Sequence, residues 1–142
     1  MIGLDTNVLA RYYIEDAADQ EAQRQRLAAQ RLIESGQPLM IAKTVVLELE
    51  WVMRGYYGFA PAEIVATLRH LLSLPQVKVE DRDAIEQAMA NCLAGLDFAD
   101  ALHHASYREC SAVASFDNRG FARRARQLGL APAVTLLSRH VP

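Results

Sequence analysis

An α/β fold built on a parallel sheet is what this sequence predicts, and three observations carry the prediction. Short apolar runs alternate with longer stretches of helical period. Glycine, proline and Asx residues punctuate most of the junctions between them. The chain has 142 residues, 51% of them hydrophobic, which suits one domain with a buried core over residues 1–142. Strands separated by helices favour parallel pairing, with helices on both faces of the sheet.

Met1 to Leu4 reads as the first strand, stopped by the turn and cap residues Asp5-Thr6-Asn7. A short helix follows over Val8 to Ile14. Asp19 to Glu34 is a longer helix, with Leu27, Leu32 and Ile33 on its apolar side and Gly36 as its stop. Leu39-Met40-Ile41 is the second strand. Thr44 is a candidate N-cap for a helix from Val45 to about Arg54, with Gly55 near its end. Pro61 suits the first turn of a helix running to Leu72, and Pro75 breaks the chain after it. Val77 and Val79 flank Lys78 in a third strand. Asp81 opens a helix to about Leu93, which Gly95 ends. Asp97 opens another, to about Arg108. Ser111 to Phe116 is a short apolar run that reads as a buried strand, ending at Asp117-Asn118-Arg119-Gly120. Phe121 to Leu128 is helical with Gly129 past its end, and Ala133 to Leu136 is the last strand.

Composition narrows the classes of function. Charged residues make up 23% of the chain, an ordinary globular share, so a disordered or collagen-like chain is excluded. The formal net charge of -2 gives no bulk attraction for a polyanion. Positive charge is local instead. Arg24, Arg26 and Arg31 form one cluster, and Arg119, Arg123, Arg124 and Arg126 form another. Lysine occurs only at Lys43 and Lys78, so the cations are mostly planar guanidinium groups suited to phosphate or carboxylate. Cys92 and Cys110 have neither CxxC nor zinc-finger spacing and read as small apolar residues flanking helices or strands. The N-terminus has no basic leader and no run approaches the roughly 18 apolar residues of a membrane span. A soluble cytoplasmic protein with no membrane association is therefore expected.

In open parallel sheets, ligands gather beyond the carboxyl ends of the strands. Asp5 follows the first strand and Asp117 follows the strand beginning at Ser111. With both strands central and parallel, the two carboxylates share a rim. Glu48 lies one turn after Thr44, and Asp100 lies in the first turn after Asp97. Four acids brought together repel one another by several kcal/mol unless a cation joins them. Hard oxygen donors suit Mg²⁺ or Mn²⁺. Such a centre lowers the pKa of a bound water and stabilises charge on phosphoryl oxygens, which is phosphodiester hydrolysis.

Each acid also has a plainer reading. Asp5 can cap the helix after it, Asp97 can cap the next, and Asp117 can be a turn residue. Asp97-x-x-Asp100 resembles an acidic capping box, which leaves Asp100 merely favoured by the helix dipole. Glu48 sits in a helix that looks apolar nearly all round, so an acid there needs a partner or a cation. Glu50, in the same helix, is expected on the solvent side. His104 is one turn beyond Asp100, a spacing open to a shared metal, although His103 and His104 also suit packing or solvent. Arg119 and Arg123 are either a solvated face or a phosphate rail beside the acids. Tyr12, Tyr13, Tyr56 and Tyr57 are candidates for base stacking, for core, or for a dimer contact.

Four segments in order add a resemblance. They are Ile2-Gly3-Leu4-Asp5-Thr6-Asn7-Val8-Leu9, Thr44-Val45-Val46-Leu47-Glu48-Leu49, Asp97-Phe98-Ala99-Asp100-Ala101-Leu102 and Ala114-Ser115-Phe116-Asp117. Together they resemble the PIN domain and, within it, the VapC toxins of type II toxin–antitoxin systems, over essentially the whole chain. The resemblance implies a three-layer sandwich with a short central parallel sheet between helices. It implies that Asp5, Glu48, Asp100 and Asp117 are the catalytic and metal-site acids, Asp5 and Asp100 as direct ligands and Glu48 and Asp117 partly through water. Asn7 and Ser115 would support the site by hydrogen bonds, with Asp97 a fifth acid of open role. The activity implied is Mg²⁺- or Mn²⁺-dependent endoribonuclease cleavage of structured RNA such as tRNA or rRNA. The partners implied are a second copy of the chain and a VapB-like antitoxin that inserts a C-terminal segment into the acidic groove.

Other functions fit less well. A haloacid-dehalogenase-like phosphatase wants Asp-x-Asp after the first strand, whereas Asn7 occupies the third position, and no phosphate-binding lysine is evident. A phospho-receiver wants paired acids near the first strand and a lysine on the last. A housekeeping RNA-processing nuclease of the same fold, and a PIN-like RNA-binding module without activity, remain as alternatives.

Overall fold

The computed structural model describes residues 1–138. The chain divides into two compact units, Met1–Asp81 and Arg82–Pro142. The fold is mixed α/β with parallel strands and seven α-helices among the described residues.

The first unit contains β1 (Ile2–Gly3), α1 (Thr6–Tyr13), α2 (Gln20–Ile33), β2 (Leu39–Ile41), α3 (Lys43–Trp51), a π-helical turn (Val52–Tyr56), α4 (Pro61–Ser73) and β3 (Val77–Val79). Its strands form one parallel sheet in the order β1-β2-β3, with Ile2 opposite Leu39 and Met40 opposite Lys78. Leu39 and Ile41 are buried, as two apolar residues on one face of a strand should be. Asp5 comes two residues after β1 and Lys43 opens α3 just after β2, so α1 and α3 both start at the carboxyl edge of this sheet. The two helices are in contact.

The second unit contains α5 (Arg82–Leu93), α6 (Phe98–Ser106), β4 (Ala112–Ser115), α7 (Phe121–Leu128) and β5 (Ala133–Leu136). β4 and β5 pair in parallel, Ala112 opposite Ala133 through Ser115 opposite Leu136. α5 packs on α6, burying Ala84, Ile85, Ala88, Phe98, Ala101 and Leu102. α7 ends where Gly129 adopts the left-handed conformation at φ 64°.

Several expectations are corrected. The run at 111–116 is not a buried strand: β4 alternates exposed and half-buried residues. α1 starts at Thr6, not Val8, because Asp5 caps it. Thr44 is no N-cap. α3 starts at Lys43, whose N–H donates to Glu80 Oε1 at 2.9 Å, so a distant side chain does the capping. Asp81 stands outside its helix at φ 52°, held by Lys43 Nζ at 3.0 Å. α6 stops at Ser106, short of Arg108. Leu27 is exposed, since the buried stripe of α2 is Ala22, Ala29 and Ile33. Cys92 is buried as expected, but Cys110 is exposed.

The largest correction falls on α3. Glu48 is exposed, and Glu50 is the buried acid, 2% exposed. Val46, Leu49, Glu50 and Met53 form its buried stripe. Burial of Glu50 is compensated by Arg54, one turn on, whose Nε lies 2.9 Å from Oε2.

Candidate functional site

In the first unit Asp5 is the N-cap of α1, and its Oδ1 accepts from Thr6 N at 2.8 Å. That is the capping role foreseen as its plainer reading, and it occupies one carboxylate oxygen. Glu48 lies in the second turn of α3. Because α1 and α3 begin at the same sheet edge, both acids line one cavity of about 380 Å³. Asn7 lines it too. Asp16 and Asp19 add two further acids, Asp19 being the N-cap of α2. Arg11 is the cation in the lining.

Sequence reasoning missed Trp51 and Asp16 as wall residues of this cavity. Trp51 was within reach of it: three positions after Glu48 is a neighbouring site on a helix face. Nothing in the local sequence marked Asp16.

In the second unit Asp97 caps α6, its Oδ2 accepting from Asp100 N at 3.1 Å. Asp100 is half-buried. Burial first, then the negative charges of Asp97 and Asp117, push its carboxyl above the ordinary value, while His103 pulls it back. Asp100 thus lies within electrostatic reach of both Asp97 and Asp117. Asp117 lies just beyond β4 and is exposed. Its Oδ1 accepts from Gly120 N at 2.8 Å and Arg119 N at 3.1 Å, and its Oδ2 from Phe121 N at 3.4 Å. The bonds from Gly120, Phe121 and Arg119 hold its carboxyl below the ordinary value, against a small opposing effect of desolvation. The Asp117 N–H donates to Ser115 Oγ at 3.0 Å. Gly120 has a steric reason to be glycine, since a Cβ there would stand 2.8 Å from Asp117 Oδ2.

The other expected residues fall as follows. Arg119 lines a surface cavity of about 530 Å³ with Phe116 and Asp117. Arg123 is exposed on α7. His103 is exposed, while His104 is 1% exposed, its Nε2 on Pro132 O at 2.8 Å and its ring edge-on to Phe121. His104 therefore takes the packing role.

The depressed carboxyl of Asp117 has a signed consequence for stability. A folded pKa below the unfolded one stabilises the fold above the unfolded value, and the gain is lost as pH falls through the folded value. In EDTA, the Tm difference between the wild type and Asp117→Ala is expected to be full at pH 7 and to shrink below about pH 4, where a free Asp carboxyl protonates. Thermal unfolding across pH checks it. A difference that persists unchanged at pH 2 contradicts the capping account.

Carboxylate pairs of this kind fit a small hard cation. Mg²⁺ keeps several of its waters and takes only one or two carboxylates from a protein, so a complete cage is not required. Among the described residues, no three His, Cys, Asp or Glu side chains form a metal-holding group. The acids lie in pairs, Asp5 and Glu48 lining one cavity and Asp100 within electrostatic reach of Asp117.

No helix among the described residues is long and apolar enough to cross a membrane. No curated protein matches the sequence. The PIN domain family does match, over residues 2–127, a span that runs across both units. Members of that family are generally metal-dependent nucleases that use Mg²⁺ or Mn²⁺. With the match covering most of its length and α/β folding in both units, the chain belongs to the PIN domain family.

Proposed function

We infer that the protein is a Mg²⁺- or Mn²⁺-dependent endoribonuclease whose metal-site acids are Asp5, Glu48, Asp100 and Asp117. The observation that carries this reading is the state of Asp100. A half-buried carboxylate crowded by Asp97 and Asp117 is relieved by a cation, and its family acts through one. The reading takes residues 1–142 as a single PIN domain, supported by a family match that crosses the boundary between the units.

The chain's own groups have distinct parts. Asp5 and Asp100 would be direct oxygen ligands of the metal, and Glu48 and Asp117 would act partly through water. Three backbone N–H groups keep Asp117 ionised and fixed in place for that task. Arg119 lines a cavity with Asp117, which supports a role for its guanidinium in meeting a phosphate. Bound Mg²⁺ would supply an activated water and charge stabilisation at the phosphoryl oxygens. No side-chain nucleophile and no substrate 2'-OH takes part, so the products carry 5'-phosphate and 3'-OH ends.

Cleavage of RNA is expected with Mg²⁺ or Mn²⁺ and is expected to stop in EDTA, with 5'-phosphate ends on the fragments. Cleavage that survives EDTA, or leaves 2',3'-cyclic phosphate, rules this chemistry out.

The biological role in this reading is the toxin of a type II toxin–antitoxin pair. It would act as a homodimer on tRNA or rRNA, silenced by a VapB-like antitoxin. The support is the order and spacing of the four motifs. Expression alone should arrest growth, and co-expression of the small protein encoded next to it should restore growth. Harmless expression would leave a housekeeping RNA-processing nuclease as the better reading.

A further inference from the structure

Trp51 and Tyr56 are 59% and 76% exposed, among the most exposed large apolar side chains of the chain. Both line the cavity that holds Asp5 and Glu48. Contiguous exposed apolar surface rimmed by polar residues marks interaction sites and ligand-binding grooves. The backbone between the two rings is not regular α-helix. At about 100° per residue, an α-helix would set positions 51 and 56 roughly 140° apart. The segment Val52–Tyr56 is π-helical instead, and Tyr57 N bonds to Val52 O at 3.2 Å. An i→i+5 turn moves residues five apart toward a common face, and such turns cluster at functional sites.

Both rings are also braced. A Cβ on Gly55 would touch the indole at 3.6 Å, so the Trp51 ring lies beside bare backbone. Tyr56 meets Tyr57 edge-on, with centroids 4.8 Å apart at 70°.

We propose that Trp51 and Tyr56 form a stacking subsite for an unpaired nucleobase beside Asp5 and Glu48, selecting single-stranded over duplex RNA. This rests on the ribonuclease reading above. Charge favours a base as the occupant. The cavity sets Asp5, Asp16, Asp19 and Glu48 against Arg11, which disfavours a bare phosphate but not a neutral ring. Aromatic faces accept any base, whereas bases in a duplex are already stacked on their neighbours. The subsite therefore reads strandedness and not sequence.

Trp51 is the only tryptophan in the chain, so indole emission reports this wall directly. The test uses Asp100→Ala with Mg²⁺, to hold cleavage off, titrated with an eight-nucleotide RNA lacking self-complementarity and with its duplex. Saturable quenching by the single strand and little by the duplex is expected. Tyr56→Ala should weaken the single-strand Kd by about tenfold. In the cleaving protein, Trp51→Ala and Tyr56→Ala should raise KM by a similar factor, with kcat within about twofold and circular dichroism unchanged. Absence of quenching, equal quenching by duplex, or wild-type KM in both variants overturns the subsite. So does a Trp51→Ala variant that loses a dimer yet binds RNA as before, because the wall is then a protein interface. Quenching without any metal-dependent cleavage in the wild type would uphold the subsite and defeat the nuclease reading. Cleavage with both KM values unmoved would do the reverse.

Discussion

Asp100→Ala and Asp5→Ala are each expected to lower Mg²⁺-dependent RNA cleavage by about a hundredfold or more. A direct carboxylate ligand supports several kcal/mol of charge stabilisation, and each ~1.4 kcal/mol is a factor of ten in rate. Asp97 supplies the control. It caps α6 through Asp100 N, and asparagine caps a helix about as well as aspartate. Asp97→Asn should therefore cleave within about threefold of the wild type, while Asp97→Ala should lose about 1 kcal/mol of stability as the cap goes. An Asp97→Asn variant as crippled as Asp100→Ala would make Asp97 a ligand. Wild-type cleavage by both Asp5→Ala and Asp100→Ala would remove the proposed site altogether.

Arg54→Met should destabilise the fold by about 3 kcal/mol, the low end of what breaking a buried ion pair costs. Glu50 is almost wholly enclosed, and Arg54 Nε and Nη2 are the donors beside it. Arg54 is itself 46% exposed, so water moderates the loss. Urea denaturation of single and double variants reads this out. Glu50→Leu combined with Arg54→Met should recover most of the loss, because an apolar pair fills the stripe between Leu49 and Met53 without a charge to desolvate. A neutral Arg54→Met would show that the pair carries no such weight.

The same helix shows what was legible in the sequence and what was not. Val46, Leu49, Glu50 and Met53 follow i, i+3, i+4, i+7 spacing, which is the signature of a buried stripe. Residues Thr44, Glu48 and Trp51 form the opposite, exposed face. The unusual number of apolar residues in α3 hid that phase, so the burden of burial was assigned to Glu48. Its cavity-lining position beside Asp5 depends on α1 and α3 sharing a sheet edge, which is a tertiary fact. Strand and helix order read well because proline, glycine and Asx residues sit at the junctions. Pro61 at the start of α4 and Gly129 after α7 are the clearest cases. The cap of α3 did not read, since Glu80, which serves Lys43, is 37 residues away.

The π-helical turn after Trp51 has a bearing on how this chain is compared with others. An i→i+5 turn holds one residue more than the α-helical path it replaces. A relative whose helix is regular throughout will align with this chain only if a one-residue gap is opened between positions 51 and 57. Without that gap every position from the turn onward is matched to the wrong partner until some later loop restores the register. Tyr56 and Tyr57 would then be matched to residues that do not share their place on the helix.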